Sequence, residues 1–497
     1  MRIKNISLAM LATVFAASCS NEQIVETNAD PTGEAIDFRP SVASQTRAVV
    51  TTITNLGDFN VFAKGIRADH GNLYKTLMVG DEKTETSNAK PALASKISSS
   101  TESGMWKLSK DVYWPSDINT ALFWAFSDRR DGEGNKDGLC VTTGSIDFLE
   151  TFGPQIINYK PLKADLTQPA DKDDTGWFDG DHQRDLVSAF TQQTKNPHVN
   201  LKFHHLLSQI EINAFSKHAK NDDESRKVKI KGAWLVNIYS TGSLNANYKY
   251  NKDTQTATDN PIWTHSGDLE QYGSIYSGND RTVPTAVNAT SGSLNILGNE
   301  GHGNLMLIPQ NNIDNASWNG TSETTTGSYL LLLCRVDLGH KGTVVDGSVV
   351  SPTIDGIHYH QQFPITSYYD EDAYGLTAIP VPVNWEIGKK YTYNLDICGE
   401  NSGAGMYPPN VPTESDQLAA YLAKFIPGTL GTDYVINATE KPNPTKTNII
   451  TTRQSGKVVG DYVLDDPIQF EVTVSDWADG GTWTNGSEQK NNAVIEE

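Results

Sequence analysis

The sequence predicts an all-β chain of the β-sandwich type, and three observations carry that prediction. Short runs alternate apolar and polar side chains with period two along most of the 497 residues. Turn formers punctuate them, including 40 Gly and 22 Pro, each suited to the tight dihedrals between strands. Helical periodicity is scarce, with Glu414 to Phe425 the one segment of about three turns that shows it. An α/β chain would instead alternate its strands with long amphipathic helices. With 15 Phe, 19 Tyr and 10 Trp, the apolar content is sufficient for sizeable cores and excludes a disordered chain.

Taken in order, the chain opens on an export signal. Arg2 and Lys4 precede an apolar run from Ile6 to Ala17, then Ser18 and Cys19. A charged region, a short apolar region and a small-residue site make a secretory signal, too short to span as a stop-transfer helix. Ala16-Ala17-Ser18-Cys19 resembles a bacterial lipobox, with Ala16 where Leu is usual. It implies residues 1–18 as a lipoprotein signal peptide and Cys19 as an acylated N-terminus, carrying palmitate-type chains. Several chains on one residue anchor stably where one binds only marginally. Residues 19–35 are polar and read as a flexible tether.

The folded body is then expected from Ile36. Ile36, Phe38 and Val42 share one parity and therefore one strand face, and Pro40 between them marks an edge position. Further strands are expected at Val49–Ile53, Phe59–Ala63, Asp111–Pro115 and Ala121–Phe126, with a turn or helical step at Asp185–Phe190. Val199–Phe203 runs through His204-His205 into Ile210–Phe215. A second set comprises Val228–Val236, Asn304–Gln310, Tyr329–Val336, Tyr391–Ile397 and Ile468–Val474. A division near residue 200 gives an N-terminal domain of 36–200 and a C-terminal domain of 201–497. In the last strand Ile468, Phe470, Val472 and Val474 lie on one face.

Chemistry is sparse. Besides Cys19 there are Cys140, Cys334 and Cys398, with no CxxC spacing. The last two read as small hydrophobes in strands. The acidic segment Asp131–Asp137 fails the calcium-loop pattern, because its sixth position is Lys136 and its twelfth Thr142. His204 and His205 point to opposite strand faces, and His358 and His360 share a face but lack a third ligand. No metal and no cofactor is expected. No GxSxG, HExxH, Walker loop or GxGxxG occurs, and the chain reads as a non-enzyme. A net charge of −20 excludes wrapping nucleic acid.

Several segments together are similar to the fimbrillin (Mfa-like, type V pilin) lipoproteins of Bacteroidetes. They are the lipobox at Cys19, Ile36-Asp37-Phe38 before Thr46-Arg47-Ala48, and Tyr113-Trp114-Pro115 with Leu122-Phe123-Trp124-Ala125-Phe126. Val199 to Ile210, Met306 to Gln310, Gly388 to Leu395 and Val472 to Trp477 complete the set. Longer loops at 242–300 and 400–455 distinguish this chain from many shaft pilins.

The resemblance implies two transthyretin-like β-sandwich domains with long loops. It implies a lipid-anchored precursor at the outer membrane, an Arg-specific surface protease that cuts between Arg47 and Ala48, and loss of the strand bearing Ile36, Phe38 and Val42. Other pilin subunits would be the partners, and the processed chain would join a fimbria by donor-strand exchange. The donor expected within this sequence is Ile468, Phe470, Val472 and Val474. Four such side chains would contribute roughly 6–12 kcal/mol on burial, before ordering costs. The same run reads equally as a strand of its own C-terminal sandwich. The function expected is therefore a structural or tip pilin acting in adhesion to a host or bacterial surface receptor. The alternative is a monomeric surface lipoprotein that binds glycans through Trp177, Trp263, Trp318 or Trp483.

Overall fold

A computed structural model describes residues 35–42, 56–68, 71–97, 104–129, 145–161, 185–217, 226–275, 281–297, 304–311, 316–341, 357–426, 433–442 and 446–476. Within them the chain is all-β, with 24 strands and one short helix. No helix among the described residues is long and apolar enough to cross a membrane.

The chain opens with β1 (Asp37–Val42), β2 (Phe59–Arg67), β3 (Ala92–Lys96), β4 (Trp106–Leu108) and β5 (Ile118–Ser127). The hairpin β6 (Ser145–Leu149) and β7 (Gly153–Tyr159) departs from them, and β8 (Val187–Thr194) and β9 (His198–His205) return. Without the hairpin, these strands close into a barrel in the order β1-β4-β3-β2-β5-β8-β9. Residue 200 falls inside β9, a barrel strand. β2 and β5 are buried along nearly their whole length because both of their faces are covered. Phe59, Val61, Phe123 and Ala125 fill the barrel. Phe62, Leu122, Trp124 and Phe126 turn outward onto Phe148, Ile156 and Leu244.

Two local expectations are corrected here. Asp185–Phe190 is no helical step, since Val187 onward is a strand paired with β5. Val187 and Ala189 face the barrel interior while Phe190 packs on the outer cluster, and two buried faces erase the alternation that marks a strand. Asp111–Pro115 forms none of the strands. Its Val112 carbonyl instead accepts the Ile36 N–H at 2.9 Å, and the Trp114 indole donates to the Asn196 carbonyl at 2.8 Å.

The remainder carries β10 (Ser208–Phe215), β11 (Arg226–Asn245), β12 (Lys249–Asn251), β13 (Thr256–Thr258), β14 (Ile262–Ile275), β15 (Arg281–Thr282), β16 (Leu294–Asn295) and β17 (Leu305–Leu307). After these come β18 (Tyr329–Lys341), β19 (Ile357–Phe363), β20 (Ala373–Pro380), β21 (Lys389–Asp396), α1 (Ser415–Leu422), β22 (Tyr434–Ile436), β23 (Thr447–Ile450) and β24 (Gln469–Asp476). A smaller sheet runs β16-β10-β21-β24 with β17 beside β10, and a larger one runs β22-β23-β20-β18-β11-β7-β6. Ile210, Ile212, Leu235, Leu330, Leu332 and Tyr393 fill the space between them. Leu331 and Leu333, of opposite parity, serve the far face, where Leu418, Tyr421 and Leu422 of α1 cover the larger sheet. The expected helix therefore exists, at eight residues.

β11 is twenty residues long and holds the two halves together. Its first half pairs with β18, and its last residues pair with β7 of the hairpin that departs from the barrel. β14 runs along its other side.

Cys334 lies in β18 and is fully buried, and burial pushes its thiol up to about 12. Cys398 is also fully buried but stands just past β21 in a left-handed turn, φ 55°, so the strand expected there ends earlier. Cys140 lies outside the described residues.

Asp259, between β13 and β14, has a buried Oδ1 without a hydrogen-bond partner among the described residues. Burial pushes its carboxyl up to about 7 from 3.8. The native state then holds a proton that the unfolded chain has released, so stability falls as pH rises between about 4 and 7. Asp259→Asn is expected to flatten that decline and to raise the urea midpoint more at pH 8 than at pH 5. An equal shift at both pH values would contradict it.

Candidate functional site

The residues singled out by the N-terminal pattern meet in the barrel. β1 pairs in parallel with β9 from Asp37↔His198 to Val42↔Phe203. On its other side it pairs with β4 only at Asp37↔Lys107 and Phe38↔Trp106. Pro40 therefore falls where β1 has a strand neighbour on one side alone, which suits a residue that cannot donate to a ladder. Ile36 (2% exposed), Phe38 (0%) and Val42 (8%) face inward as their shared parity requires.

Phe38 is the centre of this contact. Its ring meets Phe59 edge-on at 5.7 Å and Phe123 at 6.2 Å, both at 76°. Phe59 in turn packs on Phe203 at 5.2 Å. At about 1.5–3 kcal/mol per buried side chain, Ile36, Phe38 and Val42 contribute roughly 5–9 kcal/mol. The sequence pattern gives no hint of a polar clasp at the strand's start. The Asp37 carboxylate lies 2.9 Å from Nδ1 of His198, and the Asp37 N–H donates to the Pro197 carbonyl at 2.8 Å. No local signal couples Asp37 to a histidine 161 positions away.

The C-terminal strand is seated at an edge. β24 pairs antiparallel with β21 over Lys389↔Asp476 to Asp396↔Gln469, and no strand flanks its other side among the described residues. Val472 is buried, whereas Ile468, Phe470 and Val474 are only partly so, all packed on the inter-sheet core. Lys389 and Asp476 form an ion pair at the strand's end. An edge strand presents unpaired N–H and C=O groups to a further chain.

Cys19, Arg47 and Ala48 lie outside the described residues, as do Asp131–Asp137, Trp177 and Trp483. Trp263 (9% exposed) and Trp318 (2%) are core residues. Their indoles donate to the Leu206 and Ser322 carbonyls at 2.9 and 3.1 Å, so neither offers a sugar platform. His358 and His360 sit on β19, and the described residues contain no group of three or more His, Cys, Asp or Glu that could hold a metal.

The chain matches the fimbrillin-like family over residues 46–405 and belongs to it. No curated protein matches it. Among solved structures, a fimbrial protein from Bacteroides vulgatus is 17% identical with a TM-score of 0.41, over 74% of this chain and 96% of that one. A candidate cell adhesion protein from Bacteroides eggerthii is 10% identical with a TM-score of 0.35, over 90% and 97%. Family membership supports a pilin-like adhesion role at the cell surface and assembly with other pilin subunits.

Proposed function

We propose that this chain is a structural or tip pilin of a surface fimbria, exported as a precursor lipidated at Cys19 and held at the outer membrane. An Arg-specific protease cuts between Arg47 and Ala48, β1 leaves, and a second copy fills the groove with residues 468–474. The chain has two transthyretin-like β-sandwich domains, with the division past β9, between residues 206 and 225.

One observation carries the reading. The buried strand has Ile36, Phe38, Pro40 and Val42 at alternate positions, and the incompletely buried edge strand has Ile468, Phe470, Val472 and Val474 at the same spacing. A donor in β1's polarity would set Phe470 where Phe38 lies, between Phe59 and Phe123, and Val472 would stand in for Pro40. Donor and groove are different surfaces, so the contact is heterologous and propagates without closing. The test is limited digestion of purified precursor with an Arg-specific protease. Cleavage at Arg47 followed by SDS-resistant ladders is expected, with Arg47→Ala remaining monomeric. A cleaved chain that stays monomeric would refute the mechanism.

A further inference from the structure

Beyond the strand-exchange surfaces, the larger sheet carries a cleft of about 360 Å³ at its outer edge. It opens where β20 changes neighbours, since Gly375 pairs with Ile450 of β23 while Ala378 bridges to Met406, leaving Leu376 between them. Its floor is apolar and ordered, made by Phe363, Leu376, Tyr407 and Ile450, none more than 9% exposed. A Cβ at Gly375 would collide with the Phe363 ring, so glycine there lets that ring lie against the strand and form one wall. All but four of the lining residues follow Gly405, where the family match ends.

The polar side is a run of consecutive residues. Tyr407 and Thr451 are already engaged, the tyrosine hydroxyl by the Gln454 N–H at 3.3 Å and the threonine hydroxyl by the Asn437 amide at 2.9 Å. The side chains of Thr452, Arg453, Gln454 and Ser455 line the same cleft and make no hydrogen bond or ion pair with any described residue. A guanidinium with no carboxylate partner among the described residues stands out in a chain with 60 acidic and 40 basic side chains. Its geometry suits a carboxylate, which it holds bidentately. A neutral sugar carries no anion to answer that guanidinium. A purely apolar ligand would leave the arginine unanswered.

We propose that this cleft binds a peptide segment carrying an apolar side chain beside a carboxylate. The apolar side chain fills the floor, the carboxylate meets Arg453, and the peptide amides face Thr452, Gln454 and Ser455. Pockets of this size with an apolar body and a few convergent polar groups are the ordinary form of small recognition sites.

The purified, unprocessed chain suffices for the test, so failure of strand exchange would leave it intact. Acetyl-Leu-Glu-amide is titrated by calorimetry beside acetyl-Leu-Gln-amide, 3-phenylpropanoate and N-acetylglucosamine. Leu-Glu is expected to bind at least tenfold tighter than Leu-Gln, as loss of a charge-assisted hydrogen bond implies. Arg453→Gln is expected to remove that difference without changing the melting temperature, because Arg453 has no ion-pair partner among the described residues to lose. Equal binding of both peptides, an unaffected Arg453→Gln, or no binding at millimolar peptide would overturn the proposal. Tighter binding of 3-phenylpropanoate would assign the cleft to a small acid instead, and binding of the sugar to a glycan. Either outcome also overturns it.

Discussion

Replacing Phe38 with alanine is expected to destabilise the unprocessed chain by about 3–5 kcal/mol, the range for removing a fully buried phenylalanine. The ring has no exposed surface and two edge-on aromatic partners. β1 has a full ladder only toward β9, so little backbone adjustment on that flank can close the cavity. Equilibrium urea unfolding of the precursor measures the effect, with Arg39→Ala on the exposed face as the control. A loss below about 1 kcal/mol would mean that β1 is an ornament on a barrel already complete without it. A chain cut after Arg47 would lack Phe38 and should therefore be the less stable species until its groove is refilled.

Phe470→Asp is expected to abolish polymerisation of the processed chain while leaving its monomer folded. In its own sheet Phe470 is only partly buried at an edge, so an aspartate there can reach water. In the slot left by Phe38 the same carboxylate would be enclosed by Phe59 and Phe123 without a partner, at a cost of several kcal/mol. The variant retains its groove and can still accept a strand from the unaltered chain. Mixed with that chain after cleavage, it should stop filament growth at one end and shorten the SDS-resistant ladder in proportion to its share. A ladder of normal length would show that 468–474 is not the donor.

Local pattern makes some of this legible, and long-range pairing hides the rest. The parity of Ile36, Phe38 and Val42 places them on one face, and they do point together into the barrel. Tyr391 to Leu395 and Phe470 to Val474 are readable by the same rule, because one face of each is solvated. Where both faces are covered the rule loses its contrast, and Asp185–Phe190 reads as a turn or helical step for that reason. The partners of β1 cannot be read at all. Phe38 meets Trp106 on one side and Val199 on the other, and neither spacing leaves a local trace. The hairpin β6–β7 is equally invisible, since its pairing with β11 rests on an excursion of the chain between two barrel strands. The cleft at Arg453 joins segments some 90 residues apart, and only the lack of an acidic partner for Arg453 among the described residues draws attention to it once the fold is known.

The length of β11 bears on how such a molecule would behave under load. A pull between its two ends runs along one strand, bulged near Ile230 and Asn237, held by β14 on one flank and on the other by β18 over its first half and β7 over its last residues. Its cross-links are then stressed together in shear rather than peeled singly, the arrangement in which a ladder yields last.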